Sequence, residues 1–361
     1  MKFRERLNAV LHGGVPDKVP FAPYDVLAPR GEFVRGLMND GMGLLSRRET
    51  VKSWCPNVSI EHRTESDRVS RTYYNTPLGS VSTAFATGQD KLANSGNVQT
   101  EWMIKKVGDF APVIFMVEDT RYSVNDAAFF NGSRELGSDG LVRGTGPHAP
   151  YDASEHLFGL ENWSYMQHDH PKEFGDLLEA MEERERRMLP FILESQAEFI
   201  AFGSVSGSYS PAAYAKYALP FYQEYVPKLL AGGKIPALHA HNENLEVFAD
   251  AIAATGVPVI EAYTPPPCSD LSLPEARAAW GDDTVIWVNF PETVFYSGAE
   301  EVRSYTRGLL RSDPAPHRLV IGFTEMGMWG VSDEYTERVF KEGFLAISEC
   351  VNEFEPALLA V

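Results

Sequence analysis

The sequence predicts an α/β fold, a (β/α)8 TIM-type barrel with a β-hairpin insertion near residues 60–100. Two observations carry this prediction. Apolar runs of about six residues, which indicate buried parallel strands, alternate with amphipathic helical stretches over most of the chain. The length of 361 residues is also typical of such a barrel with insertions.

The number of predicted strands favours a closed barrel. One apolar run begins at Val19, and another is predicted near Ile60. The six remaining runs span residues 140–144, 199–204, 235–241, 257–263, 284–290 and 319–324. Eight strands are what a closed barrel needs. A doubly wound open sheet is the alternative, but no Gly-x-Gly-x-x-Gly motif follows an early strand.

The insertion is predicted from a change in pattern. Residues 68–74 and 80–85 are rich in strand-forming side chains, and a turn at Asn75-Thr76-Pro77-Leu78-Gly79 separates them. Two such segments around a Pro-Gly turn indicate a β-hairpin. The chain contains no apparent internal repeat, low-complexity tract or linker, so we predict a single domain over residues 1–361.

Charge and cysteine content exclude several classes of protein. The net charge of −18 disfavours nucleic acids and anionic membranes as partners, because both would be repelled. Cys55, Cys268 and Cys350 form no Cys-x-x-Cys pair, which favours a reduced, cytoplasmic protein. The charged N-terminus shows no signal-peptide pattern, and no apolar run reaches membrane-spanning length.

Polar residues at the carboxyl ends of the predicted strands are the candidate site, since barrels of this class carry their active sites there. We expect these side chains to bind a small-molecule substrate. The candidates are Tyr24, Asp25, Arg143, Ser206, Tyr209 and Asn289.

His239 and His241 are the candidate metal ligands. Residues two apart on a strand point to the same face, and neutral imidazoles suit zinc. Spacing alone leaves hydrogen-bonded core or surface histidines as the competing interpretation. Glu325, after the last strand, completes a His/His/Glu set and is also the first catalytic carboxylate candidate. Capping of the next helix or pairing with an arginine is the open alternative. Glu261, at the end of another strand, is the second catalytic carboxylate candidate, with a core hydrogen-bonding role equally open.

Several segments resemble the uroporphyrinogen decarboxylase and corrinoid methyltransferase superfamily. The stretch Arg-Glu-Arg at residues 4–6 followed by Pro-Asp-Lys-Val-Pro at residues 16–20 is similar to the opening of these proteins. Residues 209–222, which begin Tyr-Ser-Pro and end Leu-Pro-Phe-Tyr, are similar to a second motif. The segments around His239, Glu261 and Trp287 resemble later strands. The resemblance covers nearly the whole chain and implies a barrel that is often dimeric.

The superfamily implies two chemistries. Its decarboxylases act on uroporphyrinogen without a cofactor and carry an arginine-rich segment after the first strand. In this region, which begins at Asp25, only Arg30 and Arg35 are available and the arginine-rich motif is absent, which disfavours decarboxylation of a highly carboxylated substrate. Its methyltransferases use zinc held by His-x-Cys and a later Cys, and they pass methyl groups through a corrinoid carrier.

This sequence departs from the methyltransferase pattern in a way that suggests its substrate. His241 takes the place of the first Cys, and Glu325 or Met326 lies at the position of the second. A His/His/Glu site is a harder Lewis acid than a thiolate site and suits oxygen or nitrogen donors. The resemblance therefore implies a zinc-dependent enzyme that moves methyl from an O- or N-methylated small molecule to a corrinoid protein. A cofactor-independent decarboxylase or a non-enzymatic binding barrel are the alternatives.

Overall fold

The structure is a computed structural model that describes residues 1–28, 31–87, 97–205, 207–241, 243–324 and 334–354. The chain divides into two compact units. Unit 1 comprises Met1–Thr50, Asp126–Gly146 and Gln196–Val361, and unit 2 comprises Val51–Asn125 and Pro147–Ser195. The single-domain interpretation of residues 1–361 stays a prediction.

Strands and helices are numbered along the chain. The strands are β1 (Leu44–Arg47), β2 (Val51–Trp54), β3 (Ser59–Ser66), β4 (Val69–Thr76), β5 (Gly79–Thr87), β6 (Asn97–Glu101), β7 (Arg121–Val124), β8 (Gly140–Arg143), β9 (Phe199–Ser204), β10 (Ile235–His239), β11 (Val259–Tyr263), β12 (Val285–Asn289) and β13 (Leu319–Gly322). The helices are α1 (Phe3–Leu11), α2 (Glu32–Asn39), α3 (Phe110–Asp119), α4 (Asp126–Leu136), α5 (Pro150–Phe158), α6 (Leu160–Asp169), α7 (Pro171–Glu194), α8 (Pro211–Ala213), α9 (Leu219–Ala231), α10 (Ala249–Ala253), α11 (Leu273–Trp280), α12 (Glu292–Phe295), α13 (Ala299–Ser312) and α14 (Glu334–Glu353). None of the helices in the described ranges is long and apolar enough to cross a membrane.

Unit 1 contains the predicted parallel strands with helices between them. Five strands form one sheet in the order β13-β12-β11-β10-β9, and β1 pairs with β8 in a separate parallel ladder. Isolated parallel bridges join Phe21 to Ile321, Tyr24 to Leu45 and Gly144 to Ile200. The predicted α/β architecture is therefore confirmed, and its parallel contacts run from the segment at Phe21 through β13.

The interior of unit 1 lies on the concave side of the sheet. Every residue of β11 and β12 is buried, as expected for strands covered on both faces. Phe199 of β9 stacks on Trp287 of β12 with ring centres 5.7 Å apart and planes 11° apart. Two strands separate β9 from β12 in the sheet order, so these rings meet only because the sheet is strongly curved.

One predicted strand was wrong. The apolar residues near Ile60 belong to β3, which pairs antiparallel with β4 in unit 2. The parallel strand that follows the Phe21 segment along the chain is instead β1, which pairs with β8 in unit 1. β1 is only four residues long, too short to show a periodic pattern in the sequence.

Unit 2 contains the predicted insertion. β4 and β5 form a hairpin in which Thr76 pairs with Gly79, so the predicted hairpin is confirmed. The structure extends it to a four-stranded antiparallel sheet in the order β3-β4-β5-β6. A separate aromatic core packs among helices α5, α6 and α7. Its rings belong to Tyr151, Phe158, Trp163 and Phe174.

Gly203, near the end of β9, is a position that tolerates no side chain. Its φ of +65° lies in the left-handed region, and an added Cβ would collide with the hydroxyl group of Tyr222. We expect Gly203→Ala to lower the free energy of unfolding by about 2–4 kcal/mol, from strain plus overpacking. Urea unfolding measures this change.

Gly308 provides the matched control. It lies inside α13, is exposed, and has no neighbour within 4 Å of an added Cβ. Because Ala is the better helix former by up to about 1 kcal/mol, Gly308→Ala should stabilise the protein slightly. Equal effects of the two substitutions would contradict the steric account of Gly203.

Asp17 forms a charged contact that fastens the first helix. Its carboxylate accepts hydrogen bonds from Nε and Nη2 of the buried Arg6 at 2.6 and 3.0 Å, and it also contacts the N-terminal ammonium group at 2.7 Å. Burial raises the pKa of Asp17, but Arg6 and the ammonium group outweigh burial and lower it to about 2.

The low pKa of Asp17 makes its contribution to stability depend on pH. A lowered carboxylate pKa stabilises the fold above the unfolded value of about 3.9, and the contribution is lost as pH falls through the folded value. The difference in unfolding free energy between wild type and Asp17→Asn should therefore be largest near neutral pH and shrink as pH falls from about 4 toward about 2. Urea titrations across this range measure it, and a constant difference would contradict the assignment.

Candidate functional site

The carboxyl ends of the parallel strands in unit 1 bring several predicted residues together. His239 of β10 lies in register with Glu261 of β11, and Arg47 of β1 lies in register with Arg143 of β8. Side chains in register on neighbouring strands share a face, so these groups meet at one end of the sheet. Tyr24, which bridges to β1, completes the group.

A buried charged cluster forms the centre of this group. The hydroxyl group of Tyr24 donates a 2.5 Å hydrogen bond to Oε1 of Glu261, and Nη1 of Arg143 donates to Oε2 of the same carboxylate. Nη1 of Arg143 also lies 3.3 Å from the hydroxyl group of Tyr24. The Glu261 side chain is fully buried and that of Arg143 is 9% exposed. Both carboxylate oxygens of Glu261 are therefore held by donors.

These contacts keep the cluster charged as an ion pair. Burial raises the pKa of Glu261, but the charges of Arg143 and His239 and the hydrogen bonds to the carboxylate outweigh it and lower the pKa to about 2. Burial lowers the pKa of Arg143, yet Glu261 and Tyr24 raise it above its ordinary value. Burial and the nearby carboxylate raise the pKa of Tyr24. Near neutral pH the cluster thus contains a carboxylate, a guanidinium and a neutral phenol.

A bulge in β11 fixes the direction of the Glu261 side chain. The register with β12 shifts between Ile260 and Tyr263, and Ala262 has a φ of +58°. A non-glycine residue rarely adopts this left-handed conformation, and such strain is concentrated at functional sites. The bulge breaks the alternation of the strand, so Glu261 faces the charged cluster while Tyr263 donates its hydroxyl hydrogen to Leu271 O at 2.7 Å.

His239 lies beside the charged cluster and is partly exposed to solvent. Its Nδ1 lies 3.5 Å from Oε2 of Glu261, and its side chain is 36% exposed. A carboxylate can only accept a hydrogen bond, so in this contact Nδ1 is on the donor side of the His239 ring.

His241 is held by a second set of hydrogen bonds. Its Nδ1 lies 3.0 Å from Oγ1 of Thr264, and that hydroxyl group donates to Ala262 O at 3.3 Å. Oγ1 of Thr264 also accepts from Nδ2 of Asn289 at 3.0 Å, while Oδ1 of Asn289 accepts from the Thr324 N–H. Nδ2 of Asn289 also lies 3.5 Å from Nδ1 of His241, so Thr264 and Asn289 together hold this edge of the His241 ring.

A cavity of about 540 Å³ opens beside His241. Its walls come from the end of β12 and from the segments that follow β10, β11 and β12, and the lining residues carry polar side chains. The lining residues are His241, Glu243, Thr264, Cys268, Asn289, Glu292 and Thr293. A volume of this size suits a small organic molecule.

The rings of the predicted ligands His239 and His241 lie close to each other. Their ring centres lie 6.3 Å apart and their planes are tilted by 39°. Within the described ranges, no three His, Cys, Asp or Glu side chains are close enough to hold a metal ion. Glu325, the predicted third ligand, lies outside the described residues. The His/His/Glu set thus stays a prediction with two of its members placed.

The other predicted substrate-binding residues lie in different surroundings. Asp25 accepts a 2.5 Å hydrogen bond from Ser46 and lies 3.7 Å from Arg48, so its contacts differ from those of its neighbour Tyr24. Tyr209 is buried and stacks on Tyr214 with ring centres 6.1 Å apart. Ser206 lies outside the described residues.

Arg47 is a residue that the sequence reasoning missed. Its guanidinium carbon lies 4.6 Å from the ring centre of Tyr24, and Arg143 lies 5.5 Å from the same ring. The side chain is exposed at the carboxyl end of β1. Recognising the apolar pair Leu44-Leu45 as a short strand would have placed Arg47 among the candidates, but four residues give no periodic signal.

Comparison with known proteins places this arrangement in a family. A sequence profile described as uroporphyrinogen decarboxylase (URO-D) matches residues 146–326, half of the chain. The chain belongs to the uroporphyrinogen decarboxylase family. The matched region includes His239, His241 and Glu261, so the family assignment covers the centre of the site. No curated protein sequence matches the chain significantly.

Solved structures support the fold assignment. A methyltransferase from Methanosarcina mazei superposes with a TM-score of 0.58 at 12% sequence identity, covering 98% of this chain and 99% of that chain. D-psicose 3-epimerase from Clostridium cellulolyticum H10, solved with D-tagatose, gives a TM-score of 0.36 at 12% identity and covers 64% of this chain and 85% of that chain. The first likeness shows a common fold over the whole chain, and the second is too weak to add to it.

Proposed function

We propose that this member of the uroporphyrinogen decarboxylase family transfers a methyl group from an O- or N-methylated small molecule to a corrinoid protein, with zinc held by His239 and His241. The observation that carries this proposal is the position of the two histidines at the strand ends, with ring centres 6.3 Å apart. The Nδ1 atom of His239 faces Glu261 and that of His241 faces Thr264, so Nε2 is the atom of each ring that we propose as a ligand. The similarly folded protein from Methanosarcina mazei is described as a methyltransferase, which supports the same reaction class.

The proposal places the site at the mouth of a barrel. We infer that unit 1 closes into a (β/α)8 barrel, because parallel contacts continue from the Phe21–Ile321 bridge through β1, β8 and the five-stranded sheet. The stacking of Phe199 on Trp287 across the concave face supports the curvature that closure requires. In such barrels the carboxyl ends of the strands carry the active site.

The histidine pair fits zinc in both chemistry and spacing. In ligating histidines the other ring nitrogen usually contacts a carboxylate, a backbone carbonyl or water. Here Nδ1 of His239 faces the Glu261 carboxylate, and Nδ1 of His241 faces the Thr264 hydroxyl group. Two imidazoles on one tetrahedral zinc have ring centres about 5 Å apart, so the pair at 6.3 Å needs only small side-chain rotations. Glu325 is the proposed third ligand. When bound, zinc would supply Lewis acidity toward the leaving oxygen or nitrogen.

The residues of the chain itself position and polarise the site. Arg143 and Tyr24 hold Glu261 ionised, and ionised Glu261 orients the His239 ring. Thr264 and Asn289 orient His241 at the wall of the cavity, where a small methyl donor has room to bind. In the reaction the C–O or C–N bond breaks with its electron pair on the heteroatom, which takes up a proton from solvent where it is left anionic. Co(I) of the corrinoid supplies the electron pair for the new bond to the methyl carbon and becomes Co(III).

A carboxy-lyase is the second candidate. The family takes its name from a decarboxylase, and the cation of Arg47 at the strand ends favours an acidic substrate. In this reaction a carbon–carbon bond to a carboxylate breaks and carbon dioxide leaves. The two candidates differ in product, since a methyltransferase leaves any carboxylate of its substrate in place.

An anaerobic assay separates the two candidates. Purified protein is incubated with Co(I) cobalamin and a panel of methoxylated and N-methylated compounds, each with and without a carboxyl group. The proposal predicts formation of methylcobalamin, followed by its absorption spectrum, with no release of carbon dioxide. Carbon dioxide release that does not depend on cobalamin would replace the proposal by the lyase.

A further inference from the structure

Two arginines face each other at the carboxyl ends of neighbouring strands. Arg47 of β1 and Arg143 of β8 are direct partners in the parallel register, and both guanidinium groups lie against the ring of Tyr24. Two positive charges on paired strand positions repel each other, and a nearby anion offsets this repulsion. Glu261 provides one carboxylate, and it is bound by Arg143.

Arg47 has no comparable partner among the described residues. The neighbouring Arg48 is paired, with Nη2 2.8 Å from Glu135 and 3.7 Å from Asp25. Within the described ranges Arg47 forms no ion pair, and its guanidinium group lies against the ring face of Tyr24. Two guanidinium groups and one carboxylate thus leave one positive charge uncompensated beside the cluster.

This charge is connected to the proposed reaction centre by direct contacts. Tyr24 contacts Arg47 with its ring and Glu261 with its hydroxyl group, and Glu261 in turn orients His239. Arg47, Tyr24, Glu261 and His239 thus form one continuous series of contacts at the strand ends. The exposure of Arg47 allows an anionic group to enter from solvent.

We propose that Arg47 recognises a carboxylate on the substrate, so that the methyl donor is a small organic acid. The planar guanidinium matches a carboxylate in geometry. A single uncompensated charge balances a monoanion, whereas a phosphate monoester carries about 1.5–2 negative charges near neutral pH. This inference rests on the proposed function and adds the substrate class to it.

The charge of the cavity residues beside the histidines supports this orientation. The cavity beside His241 is lined by Glu243 and Glu292, and its described lining includes no lysine or arginine. A carboxylate is repelled from such a wall, while an uncharged methoxy or amine end is not. The acid group would thus bind at Arg47 with the methylated end toward the histidines.

Calorimetric titration with matched ligand pairs tests the inference without turnover. The ligands are acetate, methoxyacetate, benzoate and 4-methoxybenzoate, each compared with its neutral amide. We expect at least one acid to bind more tightly than its amide to the wild type. Arg47→Gln should weaken binding of that acid by about ten- to a hundredfold, the loss of one charge-assisted contact, and leave the amide unchanged. Arg47→Lys should retain part of the preference.

Arg311→Gln is the matched control. Arg311 is exposed in the last turn of α13, so this change alters the net charge by the same amount away from the site. The inference is overturned if no acid binds more tightly than its amide, or if the preference survives in Arg47→Gln. Either result leaves the proposed function standing wherever methyl transfer from neutral donors is observed. If no methyl transfer is observed but the preference for the acid still requires Arg47, the proposed reaction is wrong and the acid-binding site stands.

Discussion

Replacement of Glu261 by leucine should destabilise the protein by about 3–5 kcal/mol, because the change leaves the charge of Arg143 buried without its partner. The Arg143 side chain is only 9% exposed, and Glu261 is the carboxylate that compensates its charge. The Tyr24 hydroxyl group also loses its acceptor. The free energy of unfolding, measured with urea at pH 7, gives the size of the effect.

A double variant separates the charge from the packing at this position. Arg143→Met combined with Glu261→Leu removes both charges, and we expect it to be more stable than Glu261→Leu alone. Glu300→Gln is the control, since Glu300 pairs with Arg303 on the surface and should matter by less than about 1 kcal/mol. If Glu261→Leu behaved like Glu300→Gln, the buried ion pair would not be formed.

Loss of either histidine should abolish tight zinc binding, the second large effect. The proposal uses the Nε2 atoms of His239 and His241 as ligands, so His239→Ala and His241→Ala each remove one bond to the metal. Glu261→Gln keeps both ligands but weakens the acceptor that orients His239, and it should lower the zinc affinity by about 10–100-fold. Competition with a chelator of known affinity measures all three constants.

His62→Ala is the matched histidine control for zinc binding. His62 lies exposed on β3, and its Nδ1 contacts Thr72. We expect its removal to leave the zinc affinity unchanged. A similar loss in all four variants would show that zinc binds to histidines in general, and not at the proposed site.

Much of the fold was predictable because it depends on long patterns. The parallel strands β9 to β13 are apolar runs between amphipathic helices, and the hairpin of β4 and β5 has a Pro-Gly turn between strand-forming residues. Burial selects apolar side chains, so these elements are visible in the sequence as apolar runs or alternating patterns. β1 was not predicted, because four residues are too few to show a periodic pattern. Arg47 was missed for the same reason, since it lies in β1.

The residues of the site could largely be predicted from the sequence, whereas the contacts between them were harder to predict. Tyr24, Arg143, Glu261 and His239 all lie at strand ends, where barrels carry functional groups. The pairing of Arg143 with Glu261 joins residues 118 positions apart, and no local pattern specifies it. The left-handed Ala262 is equally hidden, since alanine gives no sign of a bulge. The adjacent residues Tyr24 and Asp25 contact different groups because a short helical turn begins between them.

Zinc analysis of the native protein, combined with X-ray absorption at the zinc edge, tests the central claim most directly. The account predicts about one zinc per chain with two imidazole nitrogens at about 2.0–2.1 Å, both lost from the double variant His239→Ala/His241→Ala. A native protein that neither contains zinc nor binds it tightly on titration would contradict the account. So would a zinc whose imidazole signal survives in the double variant.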